Sequence, residues 1–132
     1  MYCILIKDDY SIYTKGIAEI IKSSIPNAYI EEVVTGADLL QKVILQHWHI
    51  IISDTDISDT NDPGKDNSFL LAQIRKFNPQ TAVIVTTNVD ITARTSAVES
   101  ADTTVYLTKS CSEEDLIRAV ENAVSTEAGY QQ

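Results

Sequence analysis

The run "HIIISDTDISD", His49 to Asp59, closes three consecutive isoleucines with Ser53 and Asp54, and Asp56 follows two residues later. Asp8 and Asp9 come soon after the first apolar run, Thr86 and Thr87 close a later one, and Lys109 follows the last. Carboxylates brought together are costly: two of them ~4 Å apart repel by about 4 kcal/mol at an effective dielectric of 20. A hard divalent cation removes that cost. Mg2+ prefers oxygen ligands in octahedral geometry and takes one or two carboxylates, several waters and a phosphate. An open place in such a shell, beside a nucleophilic carboxylate, is an arrangement for phosphoryl transfer. Asp54 is then the candidate nucleophile, Lys109 the ammonium that neutralises non-bridging oxygens, and Thr86 the hydroxyl that donates to one of them. A single Asp, Thr or Lys at a strand end would mean little, because loops are rich in such residues. Their joint placement after four apolar runs carries the argument.

That chemistry requires the runs to end side by side. Strands are expected at Tyr2–Ile6, Ala28–Val34, Ile50–Ser53, Ala82–Thr86 and Val105–Thr108. Helices are expected at about Ser11–Ser24, Gly36–Gln46, Ser68–Phe77, Ile91–Ala101 and Glu113–Val124. Thr35 is a natural N-cap, and Ser112 opens a Ser-x-x-Asp capping pattern ending at Asp115. Glu31 and Glu32 suit an edge strand, and the Asp-, Ser-, Gly- and Pro-bearing stretch Thr55–Asp66 reads as loop. The helix over Ile91–Ala101 would bury mostly alanines and pack most loosely. Strict alternation of strand and helix gives a doubly wound α/β domain, a five-stranded parallel sheet with five helices on its two faces. In such a sheet ligands bind beyond the carboxyl ends of the strands, and the order 2-1-3-4-5 gathers Asp8, Asp9, Asp54, Asp56, Thr86 and Lys109 there. Residues 1–125 form the domain, and 126–132 are expected to fray or to begin a linker.

These blocks, "ILIKDDYSIYTKGIAEII", "IIISD", "AVIVTTN" and "VYLTKS", resemble the receiver domain of bacterial two-component response regulators over nearly the whole chain. The first block is most similar to receivers joined to a LuxR-type helix-turn-helix domain. The resemblance implies a flavodoxin-like fold in which Asp54 accepts a phosphoryl group from a sensor histidine kinase or phosphotransfer protein. It implies Mg2+ held by Asp9 directly, by Asp8 through water, by Asp54, and by the backbone carbonyl of Asp56. It also implies a switch in which Thr86 moves toward the phosphate and Tyr106 rotates inward behind it. Phosphorylation supplies the driving force, adding about −1.5 to −2 charges and three acceptor oxygens. The sequence departs from the family pattern at Ser58 and Ser110, where proline is usual, at Thr87, where a small residue is usual, and in the turn "SADTTV".

Composition narrows the class further. The 132 residues are 44% hydrophobic and 22% charged, which suits one packed domain. A net charge of −9 disfavours direct nucleic-acid binding by this segment; the LuxR-like first block implies a C-terminal DNA-binding output domain, with a single-domain regulator as the alternative. No apolar stretch reaches the ~20 residues of a membrane span and no leader pattern opens the chain, which points to a cytoplasmic protein. Cys3 and Cys111 read as free thiols, and His47 and His49 as residues leading into a strand rather than metal ligands. Homodimerisation through the first or last helix is left open. Two rival readings stand beside the phosphoacceptor. One is a degenerate receiver that docks without being phosphorylated. The other is a phosphatase, since "DTD" resembles the nucleophile motif of haloacid-dehalogenase-type enzymes, although there the acidic pair and lysine follow that motif whereas Asp8 and Asp9 precede it.

Overall fold

Each strand forms where the chain places a short apolar run: β1 (Tyr2–Lys7), β2 (Ala28–Val33), β3 (Ile50–Asp54), β4 (Ala82–Thr87) and β5 (Thr104–Thr108). In the computed structural model, which describes residues 2–8, 11–54, 67–87 and 104–130, they make one parallel sheet in the order β2-β1-β3-β4-β5. This is the expected doubly wound fold. Four helices are described, α1 (Ser11–Ser24), α2 (Gly36–Leu45), α3 (Asn67–Phe77) and α4 (Glu113–Tyr130). The fifth expected helix, over Ile91–Ala101, and the loop Thr55–Asp66 lie outside the described residues.

The period-two alternation of the strands divides the core into two layers. Ile4, Ile6, Ile50, Ile52 and Ile84 pack against Ile17 and Ile21 of α1 and Leu116 and Val120 of α4. On the other face Leu5, Ile51, Val83 and Val85 meet Leu39 and Val43 of α2 and Ile74 of α3. The three isoleucines of β3 are thus consumed by both layers at once, which is why this strand has no polar face. β2 sits at the edge as Glu31 and Glu32 suggested: Lys42 Nζ lies 2.6 Å from Glu31, and the Thr14 hydroxyl donates to Glu32 at 2.7 Å.

Local signals fix the helix starts. Thr35 accepts from the Asp38 N–H at 3.0 Å and Ser112 from the Asp115 N–H at 3.1 Å, both expected caps. At its far end α4 differs from expectation, continuing to Tyr130 instead of stopping at Val124. The apolar spacing ends at Val124, but Ser125 to Ala128 contains no glycine or proline, so nothing in the backbone chemistry stops the helix there.

The amino-terminal rim of the sheet is locked by the residues around Trp48. The His49 ring accepts from the Cys3 N–H at 3.0 Å, so His49 bridges β1 and β3 as a structural residue. Trp48 is fully buried and donates to the Lys42 carbonyl at 3.0 Å, while the Thr81 hydroxyl donates to the Trp48 carbonyl at 2.7 Å. Trp48→Ala is therefore expected to cost about 3–5 kcal/mol of unfolding free energy, read by equilibrium urea denaturation followed by circular dichroism. A loss below about 1 kcal/mol would mean that the rim does not anchor the fold.

Candidate functional site

At the opposite rim, β3 hands its last residue, Asp54, into the crevice between its neighbours. The register sets Lys7 of β1 beside Ser53 on one side and Thr86 of β4 beside Asp54 on the other. Asp8 follows directly on β1, and Lys109 follows β5. Asp8 and Asp54 are each 1% exposed, and Thr86 is buried with them. Lys109 Nζ spans the two carboxylates, 2.8 Å from Asp8 Oδ2 and 3.9 Å from Asp54 Oδ2. The convergence expected of Asp8, Asp54, Thr86 and Lys109 is thus present in the fold. Asp9 and Asp56 lie outside the described residues, as do Ser58 and the side chain of Thr87.

Two participants were not singled out from the sequence. Lys7 is itself 1% exposed and its Nζ donates to Asp54 Oδ1 at 3.0 Å. A charged residue closing a strand that is paired on both sides was the available signal, because lysine is almost never fully buried without a partner. Tyr13, in the first turn of α1, is the other: its ring lies 5.1 Å from Lys109 Nζ, and Thr86 is among the groups that act on its hydroxyl. Burial, with Cys111 and Asp8 nearby, pushes the Tyr13 phenol up to about 12, so it stays a neutral hydrogen-bonding group at ordinary pH. Tyr106 sits half-buried on the other face, packed against the α2 and α3 layer.

Among the described residues the charges at this rim come in pairs. Two buried carboxylates face two ammonium groups, and each Asp54 oxygen looks at a different one: Oδ1 at Lys7, Oδ2 at Lys109. Burial is the largest influence on Asp54 and pushes its carboxyl above the ordinary range; Lys7 pulls it down, Asp8 pushes it up and Lys109 pulls it down, with a net rise. Among the described residues no group of three or more His, Cys, Asp or Glu forms a metal cluster, and Asp8 with Asp54 are the oxygen donors that could take part in one.

Comparison with known proteins decides the family. The description "Response regulator receiver domain" matches residues 4–121, nearly the whole chain. The chain belongs to the response regulator receiver domain family. No curated protein matches it. Among solved structures, this receiver domain is similar to a CheY-like receiver domain protein from Methanospirillum hungatei JF-1, with 18% identity, 98% of each chain covered and a TM-score of 0.81. A receiver domain protein from Clostridium thermocellum gives 21% identity, 97% and 98% coverage and a TM-score of 0.77. A response regulator from Burkholderia pseudomallei, solved with a phosphorylated aspartic acid, a calcium ion and citrate, gives 16% identity, 98% and 73% coverage and a TM-score of 0.72. At these identities the likeness speaks for the fold.

The raised Asp54 carboxyl has a defined sign. A folded value above the unfolded one means that the folded receiver domain holds this proton to higher pH. The stability it contributes is full below the unfolded value and is lost as pH rises through the folded one. Carbon-13 titration of the metal-free protein is expected to show Asp54 with a midpoint above 3.8, and urea stability is expected to fall through that midpoint in the natural protein but not in Asp54→Asn. A midpoint at or below 3.8 would show that the lysines outweigh burial.

Proposed function

We propose that this receiver domain accepts a phosphoryl group on Asp54 from a histidine kinase or phosphotransfer protein and thereby switches an output, transcription being the one the LuxR-like first block favours. The observation that carries the reading is the convergence of Asp54 with Asp8, Lys109 and Thr86 at the carboxyl end of the sheet. Lys7 holds Oδ1, so Oδ2, which faces Lys109, is the attacking oxygen. It forms a bond to phosphorus as the bond from phosphorus to the donor atom breaks, leaving an acyl phosphate on Asp54. Lys109 neutralises the phosphoryl oxygens while keeping its contact with Asp8. Thr86, paired with Asp54 in the sheet register, donates its hydroxyl to one phosphoryl oxygen.

Mg2+ fits the donor chemistry. Asp8 and Asp54 present hard oxygen atoms at one buried rim, and Asp9, next in sequence to Asp8, together with the backbone carbonyl of Asp56, would complete the set. The ion would supply positive charge to the phosphoryl oxygens and fix their orientation. The phosphorylated aspartic acid and calcium ion of the Burkholderia pseudomallei protein support the same assignment by analogy of fold. Movement of Thr86 toward the phosphate, with Tyr106 on the neighbouring strand β5, is the route by which the modification would reach the surface that a partner or a second copy reads.

Incubation with Mg2+ and acetyl phosphate, followed by intact mass measurement, tests this directly. One phosphoryl adduct is expected on the natural protein, none on Asp54→Asn, and an adduct formed about a hundredfold more slowly on Lys109→Ala. Absence of the adduct in the natural protein would overturn the reading. It would favour phosphorylation-independent docking, which the ammonium already seated on Asp54 Oδ1 also suits.

A further inference from the structure

The carboxylate read above as the phosphoacceptor carries a resident cation. Lys7 Nζ lies 3.0 Å from Asp54 Oδ1, and both residues are 1% exposed, so this is a buried, hydrogen-bonded ion pair and not a surface contact. Its position is fixed by the sheet. β1 lies between β2 and β3 in the strand order, and the register pairs Lys7 with Ser53, one residue before Asp54.

We propose that Lys7 is an internal counter-ion that competes with the divalent cation for Asp54, setting how strongly this site takes up Mg2+. The proposal rests on the phosphoacceptor reading. Mg2+ requires anionic oxygen atoms, and both described carboxylates here already have ammonium partners: Lys7 faces one oxygen of Asp54, and Lys109 lies between the other and Asp8. An ammonium on the same carboxylate repels a divalent ion twice as strongly as it would a monovalent one, and in a buried site solvent does little to screen it. Lys109 answers to the incoming phosphoryl group, as its contacts with Asp8 and Asp54 Oδ2 indicate. Lys7 contacts the opposite oxygen, so its charge acts on the carboxylate and the cation before any phosphoryl group arrives. It is a positioning residue: it holds Oδ1, orients Oδ2, and weakens the metal site.

Isothermal titration of Mg2+ into the natural protein, Lys7→Met and Lys7→Gln reads the effect without reference to phosphorylation. Methionine fills the volume of the lysine stem without its charge, and glutamine retains a donor toward Oδ1, so one variant keeps the test open if the other does not fold. The expected result is Mg2+ binding at least tenfold tighter in either folded variant, with the gain abolished by adding Asp54→Asn. Equal or weaker binding in the variants, alongside an acetyl phosphate adduct on the natural protein, overturns the role of Lys7 and leaves the phosphoacceptor reading standing. Absence of both Mg2+ binding and adduct in all the proteins overturns the two together.

Discussion

A carboxylate at the end of a strand buried on both faces is the constraint on which the rest of this molecule turns. Asp54 is only 1% exposed, and burial alone drives its carboxyl toward the neutral form. A charged Asp54 is tenable because the neighbouring β1 brings Lys7 to one oxygen, and the residue after β5, one strand beyond β4, brings Lys109 toward the other. Removing one partner of a buried pair leaves an uncompensated charge and costs about 3–5 kcal/mol, whereas replacing both by apolar groups can be close to neutral. The site therefore cannot be understood one residue at a time.

The two layers of the core serve that rim. Isoleucines of β3 fill both faces, so the strand is held rigidly and its terminal carboxylate has little freedom to move. Trp48, Thr81 and His49 tie the opposite rim together, which leaves the polar chemistry concentrated at the carboxyl end. Tyr13 of α1 lies beside Lys109 on one face of the sheet, and Tyr106 of β5 packs against the core layer of the other.

Much of this was legible in the sequence because the signals were periodic or local. Runs such as "CILI" and "IIIS" admit little besides buried strand, and Thr35 and Ser112 cap their helices through contacts three residues away. Asp8, Asp54, Thr86 and Lys109 could be gathered because a doubly wound sheet sends every strand end to one rim. Lys7 was hidden for the converse reason: its meaning depends on Asp54, 47 residues distant, and along the chain it reads as the polar exit of a strand. Tyr13 was hidden likewise, since an aromatic residue in α1 looks like core until Lys109 and Thr86 are found beside it. The end of α4 was misjudged because burial pattern and helix propensity part company after Val124.

The coupling between Lys7 and Asp54 is the quantity that tests this account most directly. In a double-mutant cycle of Lys7→Met and Asp54→Asn, measured by urea unfolding at neutral pH without metal, the account predicts an interaction of about 1–3 kcal/mol, with the double variant more stable than the sum of the single losses allows. Additive losses, within about 0.5 kcal/mol, would contradict it and show that the two charges do not sustain one another.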